Sequence, residues 1–174
     1  MTSERRPPLA TVIETERLRL RPMTMEDREA LIAIYADPDV ARFMSVFGTE
    51  NADDRIRSYR ESWVERGYGL MALLDRTTGE LLGRSGLYHW PQFGETEVGW
   101  LLRRDAWGLG LATEAGRACL AWGFESFEFP YLTAMIDPRN ERSIGVAKRL
   151  GMQPLRTDTL LGAEVVVYAI TRQS

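Results

Sequence analysis

From Glu16 to Arg21 polar and apolar residues alternate as Glu-Arg-Leu-Arg-Leu-Arg, the period of a half-buried strand. The period then changes. Thr24 stands where a helix cap belongs, with Asp27 at the acidic position of a capping box. The helix so started runs to about Ala36, where Asp37-Pro38 breaks it, and a short helical turn follows around Val40. A second, charge-rich helix is predicted from Asn51 to Arg66, ended at Gly67. The middle of the chain returns to strand patterning. Tyr68 to Asp75 and Leu81 to Trp90 pair as a hairpin through Thr78-Gly79, and Glu97 to Leu102 follows. From Thr113 to about Phe127 the residues Ala115, Ala118, Cys119 and Trp122 fall on one helical stripe. Leu132 to Ile136 reads as a buried strand, and Asn140 to Leu150 as a helix stopped by Gly151. Met152 to Arg156 and Ala163 to Thr171 close the chain as strands. Early helices, antiparallel strands and a final strand-helix-strand-helix-strand run predict an α+β (mixed α/β) domain around one central sheet.

Composition narrows this picture. The 174 residues suit a single domain over 11–174, with 1–10 as a flexible N-terminal tail. Arg5 and Arg6 have no apolar h-region behind them, so no secretory signal is read. No window approaches the roughly 18 apolar residues of a membrane span. Net charge is -3, without the basic stripe of a nucleic-acid binder. Cys119, the only cysteine, excludes an intrachain disulfide and a multi-cysteine zinc site. No metal is expected, and a reducing cytoplasm is the simplest location. A cysteine among alanines on a helix reads as packing rather than as a reactive thiol.

Candidate chemistry begins at Trp107-Gly-Leu-Gly-Leu-Ala-Thr113, between a strand and a helix. Gly108 and Gly110 can turn successive N–H groups one way, and the helix start adds unpaired donors and the positive end of its dipole. Two readings stand: a cradle for a phosphate chain, or a tight turn with no ligand. A P-loop is excluded because no G-x-x-x-x-G-K-[ST] occurs. A dinucleotide fingerprint fits worse. It wants glycine or alanine where Thr113 stands, and five residues, Arg103 to Trp107, separate the strand from the first glycine.

Here the chain resembles a known family. Glu97-Val-Gly-Trp-Leu-Leu102 followed by Trp107-Gly-Leu-Gly-Leu-Ala-Thr-Glu-Ala115 is similar to the acetyl-CoA signature of the GNAT superfamily of N-acetyltransferases. The broad pattern Q/R-x-x-G-x-G/A is met at Gly110 and Ala112, with Trp107 where Q/R would stand. That tryptophan is usual in the RimJ/RimL-like branch, which acetylates ribosomal-protein N-termini. Thr15 to Arg21 with Asp27 resembles that branch's opening, and Asn140, Ser143 and Leu150-Gly-Met152 resemble its N-x-x-S…L-G-F segment. The resemblance runs from about Ile13 to Thr171. It implies a central mixed sheet of about seven strands, with parallel fourth and fifth strands splayed apart and about four flanking helices. Pantetheine would lie in the splay against Trp100, Leu101 and Leu102, and the pyrophosphate on Trp107, Gly108, Leu109, Gly110, Leu111, Ala112 and Thr113.

The resemblance also implies direct transfer of acetyl from acetyl-CoA to an amine, without an acyl-enzyme. The tyrosine that often protonates the departing thiolate is missing, because its position holds Ala147. Ser143 becomes the best matched donor, beside its plainer reading as a first-turn hydroxyl. Asn140 caps that helix and has pantetheine within reach. Glu97 is the candidate base or amine-binding carboxylate, beside a structural ion pair. His89, the sole histidine, is an outsider. Phe43 and Phe47 lie between the early helices, on the segment that overhangs the acceptor site in the family. The implied partner is an amine acceptor, a protein N-terminus or a small molecule, with the chain a monomer or homodimer. A non-catalytic acyl-CoA-binding module is the competing class.

Overall fold

The computed structural model describes residues 8–45 and 47–173. Its strands are β1 (Ile13–Glu14), β2 (Leu18–Pro22), β3 (Leu70–Asp75), β4 (Leu81–Trp90), β5 (Glu95–Leu102), β6 (Tyr131–Ile136), β7 (Gln153–Leu160) and β8 (Ala163–Thr171). The helices are α1 (Arg28–Ala36), α2 (Pro38–Ala41), α3 (Ala52–Arg66), α4 (Leu111–Ser126) and α5 (Glu141–Arg149). Residues 1–7 of the expected tail lie outside the described residues, whereas Pro8–Ala10 form a 3-10 turn beside α3 and β2.

All eight strands make one sheet in the order β1-β2-β3-β4-β5-β6-β8-β7. The strand beyond the expected seven is β1, two residues that pair Ile13 with Leu20 and are too short to carry a period. Every pairing is antiparallel except β5 with β6, which needs a crossover and obtains it from α4. The expected parallel fourth and fifth strands are therefore β5 and β6.

Local sequence explains the helix limits. The Asp27 carboxylate accepts the Thr24 N–H at 2.8 Å and is clamped by both terminal nitrogens of Arg21. Asp37 ends α1 and then caps α2, accepting the Asp39 N–H at 2.9 Å. Gly67 ends α3 in the left-handed region at φ 78°. Two apolar clusters cover the sheet. One joins Leu87, Val98 and Leu102 to Ala115, Cys119 and Leu120 of α4. The other joins Leu70 and Leu101 to α1, α2 and α3.

Candidate active site

The parallel pair is interrupted almost as soon as it forms. β4 and β5 share eight registered pairs, but β5 and β6 share one, Glu97 with Thr133. Beyond it the strands diverge, leaving the β6-facing backbone edge of residues 98–102 outside any ladder. The Glu97 side chain stands at the fork. Its Oε2 accepts the Met135 N–H of β6 at 2.7 Å, and its Oε1 accepts the Trp90 indole N–H at 3.1 Å. One carboxylate thus takes the place of the next ladder bond. Burial pushes its pKa up from the ordinary carboxylate value, against the pull of the two donors and of the Arg84 charge.

A cleft of about 730 Å³ lies beyond this fork, its β5 lining beginning at Trp100, three residues past Glu97. Trp100, Leu101 and Leu102 form its floor, the 107–113 loop one wall, and Asn140, Ser143 and Val146 the other. Both loop glycines take φ 77°. A β-carbon on Gly108 would meet nothing within 4 Å, and one on Gly110 only Arg17, so the loop surface is bare backbone. The α4 ladder begins with the Glu114 N–H on the Gly110 carbonyl, which leaves the N–H groups of residues 111–113 as open donors. The helix starts at Leu111, two residues before the expected Thr113, because Gly110 itself is the cap. These groups fit a phosphate chain.

Positive charge reaches the same wall indirectly. The Arg104 and Arg142 guanidiniums lie 4.7 and 4.8 Å from the Trp107 ring, whose indole N–H donates to the Leu102 carbonyl. A tryptophan in the Q/R position therefore serves as a shelf for two cations. From behind, Arg17 donates to the Leu109 carbonyl at 2.8 Å and pairs with Glu114, which also accepts from Thr15.

A model of the GNAT acetyltransferase domain matches residues 17–153, most of the chain. The chain belongs to the GNAT acetyltransferase family. The protein YkkB of Bacillus subtilis (strain 168) is 37% identical to it, covering 91% of this chain and 94% of its own. The acetyltransferase from Agrobacterium tumefaciens str. C58 superposes with a TM-score of 0.82 at 31% identity, covering 93% and 95% of the two chains. RimL, a ribosomal L7/L12 α-N-protein acetyltransferase solved with coenzyme A, shares the fold at a TM-score of 0.78 and 16% identity, over 92% and 98%. Membership makes this GNAT chain an acetyltransferase that uses acetyl-CoA. Among the described residues no helix is long and apolar enough to cross a membrane, and no cluster of metal-ligating side chains occurs.

Ser143 faces the cleft and its hydroxyl accepts the Trp100 indole N–H at 3.3 Å, while Asn140 caps α5 by accepting the Ser143 N–H. Leu109 lies on the loop's outer side, 57% exposed and absent from the cleft wall. Phe43 lines the cleft mouth between the Arg42 and Arg139 guanidiniums. Phe47 lies elsewhere, buried in the α1–α3 cluster and stacked on Tyr35 at 4.8 Å. His89 contacts Thr96 on the face of the β4–β5 hairpin opposite Glu97. Cys119 is fully buried beside Ser85, and burial pushes its thiol up to about 11, consistent with packing. Arg84, Arg104 and Arg142 escaped the sequence reading. Arg84 left the clearest signal, a lone charge inside the apolar and small run Leu81-Leu-Gly-Arg-Ser-Gly-Leu87.

Proposed function

We propose that this GNAT enzyme acetylates an α-amino group, with a protein or peptide N-terminus as the acceptor, in the manner of the RimJ/RimL-like branch. The reading is carried by the state of Glu97. It is the carboxylate at the fork, and both its oxygens already accept a hydrogen bond. Burial raises its pKa above the ordinary carboxylate value although the donors and Arg84 oppose that rise, and a carboxylate is still a weaker base than an alkylamine.

A modest base suits a modestly basic amine. A model α-amino group has a pKa of about 7.7–8.0 and lysine about 10.4, a gap worth roughly 3.5 kcal/mol in producing the neutral nucleophile. In the proposed reaction the neutral amine attacks the thioester carbonyl. The C–N bond forms, the C–S bond breaks, and the coenzyme A thiolate leaves. A β5 backbone N–H of Trp100 or Leu102, on the edge away from β4, faces the developing oxyanion, Glu97 takes the proton lost by the amine, and Ser143 supplies one to the thiolate. Trp100 to Leu102 and Asn140 hold the pantetheine, and the 107–113 loop the pyrophosphate. The lone buried cysteine favours a reducing cytoplasm as the setting.

The test compares peptides with a free α-amine and a blocked lysine against the converse pair. The α-amine peptides are expected to react faster. Faster acetylation of lysine overturns the reading and requires a stronger base than Glu97.

A further inference from the structure

Arg84 is a buried cation without an anion bound to it. It is 8% exposed, and among the described residues its one hydrogen bond is from Nε to the Tyr35 hydroxyl, at 2.8 Å. It forms no ion pair with any described residue. Tyr35 is held from behind by the stacked ring of Phe47. The guanidinium is therefore fixed in place at its Nε while its two terminal nitrogens keep their donors. The Glu97 carboxylate acts on it only through space, without an ion pair, so the two terminal nitrogens can still take a direct anionic partner.

The register shows where that partner would sit. Arg84 pairs with Leu101, Gly86 with Gly99 and Tyr88 with Glu97, so these residues share one face of the β4–β5 hairpin. The Arg84 side chain leans back along β5. Its Nη1 lies 3.7 Å from where a β-carbon on Gly99 would be, and nothing else lies within 4 Å of that point. Gly99 is partly exposed. A side-chain-free spot thus lies beside the guanidinium, with Glu97 two residues along β5 on the same face. A cation and an anion on one face of the hairpin, not paired with each other, complement a molecule that carries an amine and a carboxylate a few bonds apart.

We propose that Arg84 binds a carboxylate of the acceptor above Gly99, so that the acceptor is an amine that also bears a carboxylate. The proposal rests on the assignment of Glu97 as the amine-facing group. Two sources share this chemistry: a free α-amino acid, and a peptide whose N-terminal residue is aspartate or glutamate. The fixed guanidinium binds the carboxylate through charge-assisted hydrogen bonds and thereby presents the amine to Glu97 and the thioester.

The experiment measures kcat/KM with acetyl-CoA for matched acceptors: amino acids against their amides, and peptides beginning with Asp or Glu against Asn or Gln. Wild-type enzyme is expected to favour the carboxylate member of at least one set by about tenfold to a hundredfold. Arg84→Met is expected to abolish that preference while leaving coenzyme A affinity, read by calorimetry, unchanged. Gly99→Ala is the second variant. Its backbone φ lies outside the positive region and its methyl meets only Nη1 at van der Waals distance, so it folds, and it is expected to raise the KM of the preferred acceptor alone. Equal rates within both sets, or a preference that survives Arg84→Met, overturns the proposal while leaving α-amine acetylation standing. Acetylation of amino acids with no peptide accepted overturns the peptide reading and leaves the Arg84 proposal intact. Failure of the carboxylate-bearing amines while the Asn and Gln peptides react overturns the Arg84 proposal alone, and failure of every α-amine overturns both.

Discussion

At the scale of residues, Glu97 joins two tasks that pull in opposite directions. As a wedge it benefits from ionisation, because Met135 and Trp90 both donate to it, whereas burial disfavours the charge. The acid limb of kcat/KM is expected above the ordinary carboxylate range near about 4.3, with activity rising as pH increases through the raised pKa. Glu97→Gln should lower the rate and flatten that limb in a pH–rate profile. A fall in rate with the limb unchanged would reduce Glu97 to a spacer. Ser143 is tested separately. Ser143→Ala is expected to lower kcat by about 10²-fold with the acetyl-CoA KM barely moved, and full speed in steady-state assays would leave water as the proton source. Sequence alone singled out both residues. It did not single out Arg84, because a strand period says which face a side chain takes and not whether an anion stands over it.

At the scale of elements, the loop and helix around residue 110 are tuned to expose backbone. Gly110 caps α4 at φ 77°, where a β-branched residue is strained by roughly 1–2 kcal/mol. Gly110→Val is therefore expected to weaken acetyl-CoA binding in calorimetry with a small loss of thermal stability. Unchanged affinity would remove the loop from the binding site. Strands and helices with a clear period were legible in the chain. β7 was legible only in part. It was expected to end at Arg156 and runs to Leu160, because Arg-Thr-Asp-Thr carries no apolar alternation and is held by its pairing with β8. Likewise β5 begins at Glu95 rather than Glu97. Glu95 is a buried acid, explained by its two bonds from Arg156 at 2.8 and 2.9 Å, a residue 61 positions away that no local pattern connects to it.

At the scale of the whole molecule, ion pairs both distant and local in the chain set the response to acid. Arg156 holds the Glu95 carboxyl below its usual value. For Glu114 burial alone would raise the pKa, but the Thr15 hydroxyl and the Arg17 N–H and guanidinium together lower it. Arg139 draws Asp137 down to about 2. Depressed carboxylates give stability that is complete above their unfolded pKa and is lost as pH falls through the folded one. The melting temperature is therefore expected to hold at neutral pH and to drop below about pH 4. Glu114→Gln should soften that acid limb in scanning calorimetry, and an identical limb in the variant would show that the Arg17–Glu114 latch adds nothing. The topology has a further consequence. With one ladder pair between β5 and β6, the sheet is two leaves, β1 to β5 and β6 to β8, stitched at a single point and otherwise joined through α4 and side chains. On the proposed placement pantetheine fills the open seam, so acetyl-CoA acts as a removable ninth strand. Its binding energy is then also cohesion energy, about 2.7 kcal/mol at a hundredfold excess over Kd. Each turnover exchanges one such strand for the next, and the enzyme is at its loosest in the interval between them.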